Sequence, residues 1–572
     1  MNFIRIFYKL LSEKQKKTTY ILMFAMLIGM FLEVMSVGMI IPILGVMSQD
    51  EYSNILQHLG SIGDVLNNYK QDEIIFIFLF LLFIIYLFKN IYLAFLVRFQ
   101  ISFVFNVQKD LSNRLFFDYV NKEYSFFITR NSSQLIQNII GEIGVLINNF
   151  LMPSLIIILE FLVLISILLL ILYIQPFGTG IIIFFFLIFS SFFYLLTKNK
   201  ILKWGKERQE NESMIIKTLQ NGFSGIKDIK IFGVEKKFEN YFKEFNSKVA
   251  DSVRKLIITQ QLPRMGLELL AVISFIIVAT FLYYSNGSFK SSIPTLGLFA
   301  ASAFRIMPSI NRIINSAQNI RFSLPSLRVL ENEFTDISSE TKNEKKIITK
   351  FSKQIELKNI KYIYPNSKRI ILDDISLVIN KGSRIGVIGD SGSGKTTLVD
   401  IILGLLSATH GIIRIDGDNF YSNEYSLKEI MSYVPQDIYL LDASIEDNIH
   451  FGSKTSKIDS VLLTKSIEGA QLTKFIDELP QKEKTIIGER GIRISGGQRQ
   501  RIGIARALYK KPSIIIFDEA TSALDYNTET NIMDLINNLN KDITIIIITH
   551  RINTIEKCEK VYLVKDGKIF IK

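Results

Sequence analysis

The stretch RIGVIGDSGSGKTTL, residues 384–398, decides the fold of the C-terminal half. It opens as an apolar strand, passes into G-x-x-x-x-G-K-T beginning at Gly389, and continues into a helix start, the setting in which such a loop binds phosphate. Gly389, Asp390, Ser391, Gly392, Ser393 and Gly394 let the backbone N–H groups wrap a polyphosphate at the N-terminus of the next helix. Lys395 supplies a cation to the β and γ phosphates, the Thr396 hydroxyl is placed to ligate Mg2+, and Thr397 belongs to the same cradle. Alone, this loop says only that the chain binds a nucleoside triphosphate.

Downstream, SIIIFDEATSALD at 513–525 is an apolar strand that ends in two acids. Asp518 is placed to hold Mg2+ and Glu519 to polarise the attacking water. ISGGQRQR lies between the loop and these acids. From about residue 354 onward, short β-branched runs alternate with helical patterns, which predicts an α/β domain over 354–572.

The first half is different. The chain has 572 residues, 48% of them hydrophobic, too apolar for one soluble enzyme. Runs at about 19–45, 73–97, 145–174, 177–196, 265–285 and 294–320 are each near or above the ~20 residues that cross a bilayer. They predict an all-α, six-helix transmembrane domain over 1–325, followed by a charged linker at 326–353. The first run follows Arg5, Lys9, Lys14, Lys16 and Lys17, is too long for a signal-peptide core and lacks a small-residue cleavage pattern, so it reads as a retained helix. Segments 99–144 and 197–264 are long and basic, whereas 48–72, 175–178 and 286–293 carry almost no Lys or Arg. The N-terminus, both basic segments, read as long loops, and the α/β domain are therefore expected on the cytoplasmic side. The same distribution assigns the net charge of +12 to membrane orientation, with no nucleic-acid partner. Residues 53–69 place Ile55, Leu56, Leu59, Ile62 and Leu66 at near-helical spacing, a surface helix or a packed connector. One cysteine, Cys558, excludes a disulfide framework or a cysteine-based zinc site within the chain.

With phosphate loop, paired acids and Ile494-Ser495-Gly496-Gly497-Gln498 in this order, the sequence resembles the ABC transporter superfamily, whose LSGGQ signature it matches apart from Ile for Leu. The resemblance implies that Ser495, Gly496, Gly497 and Gln498 complete the ATP site of another copy, so that the chain works as a dimer; all motifs being present, a homodimer would carry two competent sites. It further implies that Tyr364 stacks on adenine, that Gln436 in YVPQD links Mg2+ to the membrane half, that Asp525 ends the loop beginning at Ser522, and that His550 is the switch histidine. Each role has a physical basis: Tyr364 offers an aromatic face, Gln436 can ligate or orient water near the metal, and His550 can hydrogen-bond a γ-phosphate. Gly488-Glu489-Arg490-Gly491 resembles the loop that exporters set against their coupling helices, and GIKDIKIFGVEKKF at 225–238 resembles the second coupling segment. The expected protein is an ATP-hydrolysing exporter of the type I fold, with ATP and Mg2+ as cofactors.

What it moves is read from charges in the spans, which are expensive in lipid unless used or paired. Counting from Pro294 at 1.5 Å per residue, Arg305 lies ~16 Å and Arg312 ~27 Å into the last span, two turns apart on one face. With Lys89 and Arg264 they are expected to line a cavity for an anionic headgroup, although Arg264 also has Glu268 at i+4. Glu33 and Glu160 lie in spans as well, able to neutralise an arginine or to hydrogen-bond internally. AFRIMPSINRIINS at 303–316, QLPRMGLELL at 261–270 and the surface segment after the first span resemble the PglK-type flippases. That likeness implies flipping of a polyprenyl-pyrophosphate-linked oligosaccharide for glycosylation across the bacterial inner membrane. An exporter of lipid A, phospholipid or amphiphilic drugs is the alternative.

Overall fold

The computed structural model describes residues 2–47, 70–174, 176–286, 293–339, 346–365, 367–421, 425–453, 455, 457–520, 529–530, 533–534, 536 and 542–572. The chain divides into two compact units, 1–122 with 130–340 and 123–129 with 341–572.

The first unit is helical. Its long helices are α1 (Glu13–Gly38), α2 (Gln71–Val120), α3 (Met152–Ile174), α4 (Pro176–Ser224), α5 (Glu235–Asn286) and α6 (Ile293–Ser339). Ser12 starts α1 with a reciprocal capping box to Gln15, which satisfies two of the N–H groups a helix start leaves orphaned. The helix Ser132–Gln137 and two π-helical turns, Asn138–Glu142 and Ile147–Leu151, precede α3. Among the described residues, five helices contain a window apolar enough to cross a membrane; the predicted span 294–320 falls in α6.

Two expectations are corrected. The basic segments 99–144 and 197–264 are mostly continuations of α2, α4 and α5, because hydropathy marks only where a helix is apolar, and α5 continues even through Pro263. Likewise α6 runs through Ser339, well into the predicted linker. The surface segment 53–69 lies outside the described residues.

The helices pack around Val37, Val163, Ile167, Ile171, Ile182, Leu267, Phe299, Ile306 and Ile310. Large apolar side chains such as Phe24, Phe80, Phe88, Phe192 and Leu269 point outward, as expected of a surface solvated by lipid. Where α4 crosses α6, a Cβ on Gly205 would stand 2.2 Å from the Phe322 carbonyl, so only glycine admits this close approach.

The second unit holds a six-stranded sheet in the order Lys568–Ile571, Lys560–Lys565, Arg384–Ile388, Thr544–Ile548, Ile514–Asp518, Met431–Val434, parallel except for the first edge strand. The isoleucine runs at 514–516 and 545–548 are buried throughout, as a parallel strand covered on both faces requires. A four-stranded antiparallel sheet, Ile370–Asn380, Gln354–Ile363, His410–Ile415 and Asp418–Phe420, lies in the same unit. The short helix Tyr124–Thr129 clusters with this unit although it lies between helices of the first.

Candidate nucleotide site and intramembrane charge cluster

Four adjacent parallel strands bring the sequence motifs to one edge. The phosphate loop leaves the carboxyl end of Arg384–Ile388, His550 follows Thr544–Ile548, Asp518 and Glu519 end Ile514–Asp518, and Gln436 follows Met431–Val434. Ligands of open parallel sheets bind at such carboxyl ends. A cavity of about 480 Å³ there is lined by Tyr364, Gly389, Asp390, Ser391, Gly392, Gly394, Lys395, Thr396, Thr397, Gln436, Asp518, Glu519 and His550.

The loop fits a polyphosphate. Gly394 caps the helix Lys395–Ile402 at φ 105°, a left-handed conformation that favours glycine, and a Cβ there would meet Leu372 at 2.8 Å. Lys395 Nζ donates to the carbonyls of Gly389 and Asp390 at 2.8 Å each, which holds the ammonium against the loop. The buried Ser393 hydroxyl has no hydrogen-bond partner, a polar atom that a ligand would satisfy. Thr396, Asp518 and the Gln436 amide offer hard oxygen donors of the kind Mg2+ takes. Tyr364 donates to or accepts from Thr397 Oγ1 at 3.1 Å and packs edge-on against Tyr362.

Glu519 sits at φ 46°, a strained position for a non-glycine residue, and its carboxylate is clamped from two sides. Gln436 Nε2 donates to Oε2 at 2.9 Å, and His550 Nδ1 lies 3.3 Å from Oε1. Sequence reading missed Tyr433, whose hydroxyl donates to Asp518 Oδ2 at 2.9 Å; its place in the strand just before Gln436 was the available signal. Burial raises the Asp518 pKa. Burial, and then the charge of Asp518, push Asp400 up to about 6.

That shift makes a stability prediction. Because the folded value of Asp400 is raised, its contribution is fully present below the unfolded value near 3.8 and is lost as pH rises through about 6. Asp400→Asn removes the charging step, so the nucleotide-free variant is expected to gain about 1–2 kcal/mol over wild type at pH 8, after allowance for solvent screening, and nothing well below pH 3.8. Melting curves across this range test it; parallel wild-type and variant profiles would refute it.

The signature residues Ser495, Gly496, Gly497 and Gln498 open the helix Gly496–Tyr509 through a capping box, Gln498 N to Ser495 Oγ at 3.2 Å and Ser495 N to Gln498 Oε1 at 2.9 Å. They are not among the described residues that line the cavity. Ser522 and Asp525 lie outside the described residues.

In the helical unit, three of the four singled-out cations meet. Arg305 reaches Glu33 at 3.0 Å and Glu160 at 3.8 Å, Arg312 reaches Glu160 at 2.8 Å, and Lys89 stands 3.5 Å from Glu33 and 3.2 Å from Ser36 Oγ. Arg264 departs from the expectation that it joins them: within the chain it pairs with Glu268 at 2.9 Å on an exposed surface of α5. Pairing one turn away along the same helix outcompetes a longer reach. The GIKDIKIFGVEKKF segment forms the short helix Ile226–Phe232, ended by Gly233 at φ 62°, with Ile231 and Phe232 exposed.

A phosphate-binding α/β domain joined to a bundle of long apolar helices defines a membrane transporter that carries its own nucleotide-binding domain. The chain belongs to the ABC transporters: the family profile "ABC transporter transmembrane region" matches residues 20–307 and the profile "ABC transporter" matches 372–522. It has the type I exporter fold, superimposing on a bacterial Atm1-family ABC exporter solved with ATP bound at a TM-score of 0.79, over 97% of this chain and 95% of that one, at 20% identity. Among relatives, it is 33% identical over 351 residues to the heterocyst differentiation ATP-binding protein HepA of Nostoc sp. (60% of this chain, 56% of that protein). It is 32% identical over 372 residues to the ATP-dependent lipid A-core flippase of Wigglesworthia glossinidia brevipalpis (64% and 63%). The chain thus spans less than two thirds of the length of these curated relatives.

Proposed function

We propose that this chain is one half of an ATP-driven exporter that flips a lipid with an anionic headgroup from the cytoplasmic to the outer leaflet of the bacterial inner membrane, two copies forming the working homodimer. The single observation that carries the substrate class is the cluster of Lys89, Arg305 and Arg312 on α2 and α6, with Arg312 half-exposed. Guanidinium forks bind phosphate oxygens in pairs, and cations kept at membrane depth serve such a purpose when they are not spent on structure. Within the class, a polyprenyl-pyrophosphate-linked oligosaccharide is favoured by the likeness of 261–270 and 303–316 to PglK-type flippases. Lipid A is the second reading, favoured by the lipid A-core flippase relative.

In the nucleotide site, the phosphate loop binds ATP, Thr396, Asp518 and Gln436 would hold Mg2+, and Glu519 accepts the proton of the attacking water. Gln436 and His550 keep the Glu519 carboxylate in place. When bound there, Mg2+ would supply neutralisation of the phosphate charge. N-terminus and nucleotide-binding domain face the cytoplasm, where ATP is available.

Translocation tests the reading. Purified protein in proteoliposomes is expected to move a fluorescent polyprenyl-pyrophosphate oligosaccharide when ATP is present, and Arg305→Ala to lower that rate at least tenfold. Wild-type protein that hydrolyses ATP but moves no anionic lipid would overturn the substrate class.

A further inference from the structure

Glu33 and Glu160 come from α1 and α3, and together with Lys89, Arg305 and Arg312 they form one continuous ion cluster across four helices. Both carboxylates are buried, at 5% exposure. The cations are graded: Lys89 is buried, the Arg305 side chain is 23% exposed and that of Arg312 48% exposed. The acids therefore stand behind and the guanidinium groups in front.

The cluster is not saturated. Arg305 and Glu160 meet at 3.8 Å, an ionic contact too long for a hydrogen bond, and both Arg305 Nε and Glu160 Oε2 are buried without a hydrogen-bond partner among the described residues. Arg312 meets Glu160 through Nε at 2.8 Å and keeps a half-exposed guanidinium. Among the described residues, three cations face two carboxylates, which leaves this cluster with one positive charge in excess per chain.

We infer that Glu33 and Glu160 are specificity-determining counter-anions: they cancel all but one positive charge per chain, so that two copies together select a dianionic headgroup, a diphosphate substituted at both ends. This rests on the reading that the arginines receive an anionic headgroup. A monoanion leaves part of the cluster charge unmet, and a diphosphate with one free end brings excess negative charge into a low-dielectric setting. The diphosphate takes over arginine nitrogens that the carboxylates hold loosely or leave free, and Glu160 Oε2 and Arg305 Nε show where that hold is incomplete.

The experiment measures binding to the full chain in nanodiscs with four probes. These are polyprenyl-diphospho-N-acetylglucosamine, polyprenyl diphosphate, phosphatidylglycerol, and soluble UDP-N-acetylglucosamine, which has the same doubly substituted diphosphate. Wild type is expected to bind the first at least tenfold tighter than the second and third. Glu160→Gln is expected to shift the ranking about tenfold toward polyprenyl diphosphate. The double variant Glu160→Gln/Arg312→Gln returns the net charge to the wild-type value and is expected to restore the wild-type ranking, which also guards against a single variant that folds poorly. Tighter binding of the lipid than of UDP-N-acetylglucosamine identifies a lipid as the source of the headgroup, and equal binding identifies a soluble one, with the charge reading intact in both cases. The same ranking in wild type, single and double variants would overturn the inference while leaving the flippase reading standing. A charge-dependent ranking without any translocation would overturn the flippase reading alone.

Discussion

Replacing Glu519 with glutamine is expected to lower ATP turnover at least about 100-fold while leaving nucleotide binding nearly unchanged. The Glu519 backbone is strained at φ 46°, and its carboxylate is held by Gln436 at 2.9 Å and His550 at 3.3 Å. Glutamine keeps the shape and the hydrogen-bond reach but cannot take a proton from water. Strain of this sort persists only where the surroundings enforce it, here by the backbone bond from Glu519 N to the Ile548 carbonyl at 2.9 Å. Phosphate release and fluorescent-nucleotide binding, measured side by side, separate the two effects. Normal turnover in the variant would remove Glu519 from the catalytic role.

The second large effect concerns stability. Arg208 is almost fully buried in the helical unit and donates to Glu212 at 2.6 Å, Glu142 at 3.0 Å and Ser326 Oγ at 2.9 Å, tying α4 to the π-helical turn Asn138–Glu142 and to α6. Arg208→Met leaves the Glu142 carboxylate buried at 1% exposure with, among the described residues, the Gln137 amide at 2.9 Å to satisfy it. A buried charge stripped of its partner costs about 3–5 kcal/mol. The variant is therefore expected to melt at a markedly lower temperature in detergent. Adding Glu142→Gln should recover much of the loss, since an amide tolerates burial better than an unpaired carboxylate. An unchanged melting temperature in Arg208→Met would show that the triad carries no net stability.

Much of the nucleotide site was legible in the sequence because its parts are short and contiguous. A phosphate loop needs its glycines at fixed local spacing, and the cap made by Ser495 and Gln498 spans three residues. Tyr433 escaped notice because its partner Asp518 is 85 residues away and one strand over. In the helical half, hydropathy located apolar stretches but not the ends of helices that continue as polar rods, nor the extension of α6 into the expected linker.

The sequence by itself determined the class of fold, the order of the two halves, and the residues of the phosphate loop, because backbone conformation and hydropathy are set by neighbours along the chain. Only the tertiary structure decided which cations share a partner. Glu33 and Arg305 are 272 residues apart and meet because α1 and α6 both pack against α3, whereas Arg264, with an acid one turn away, settles its charge locally. Charge is counted per residue in a sequence, but it acts over a few ångströms in a low-dielectric interior, and packing alone brings residues that close.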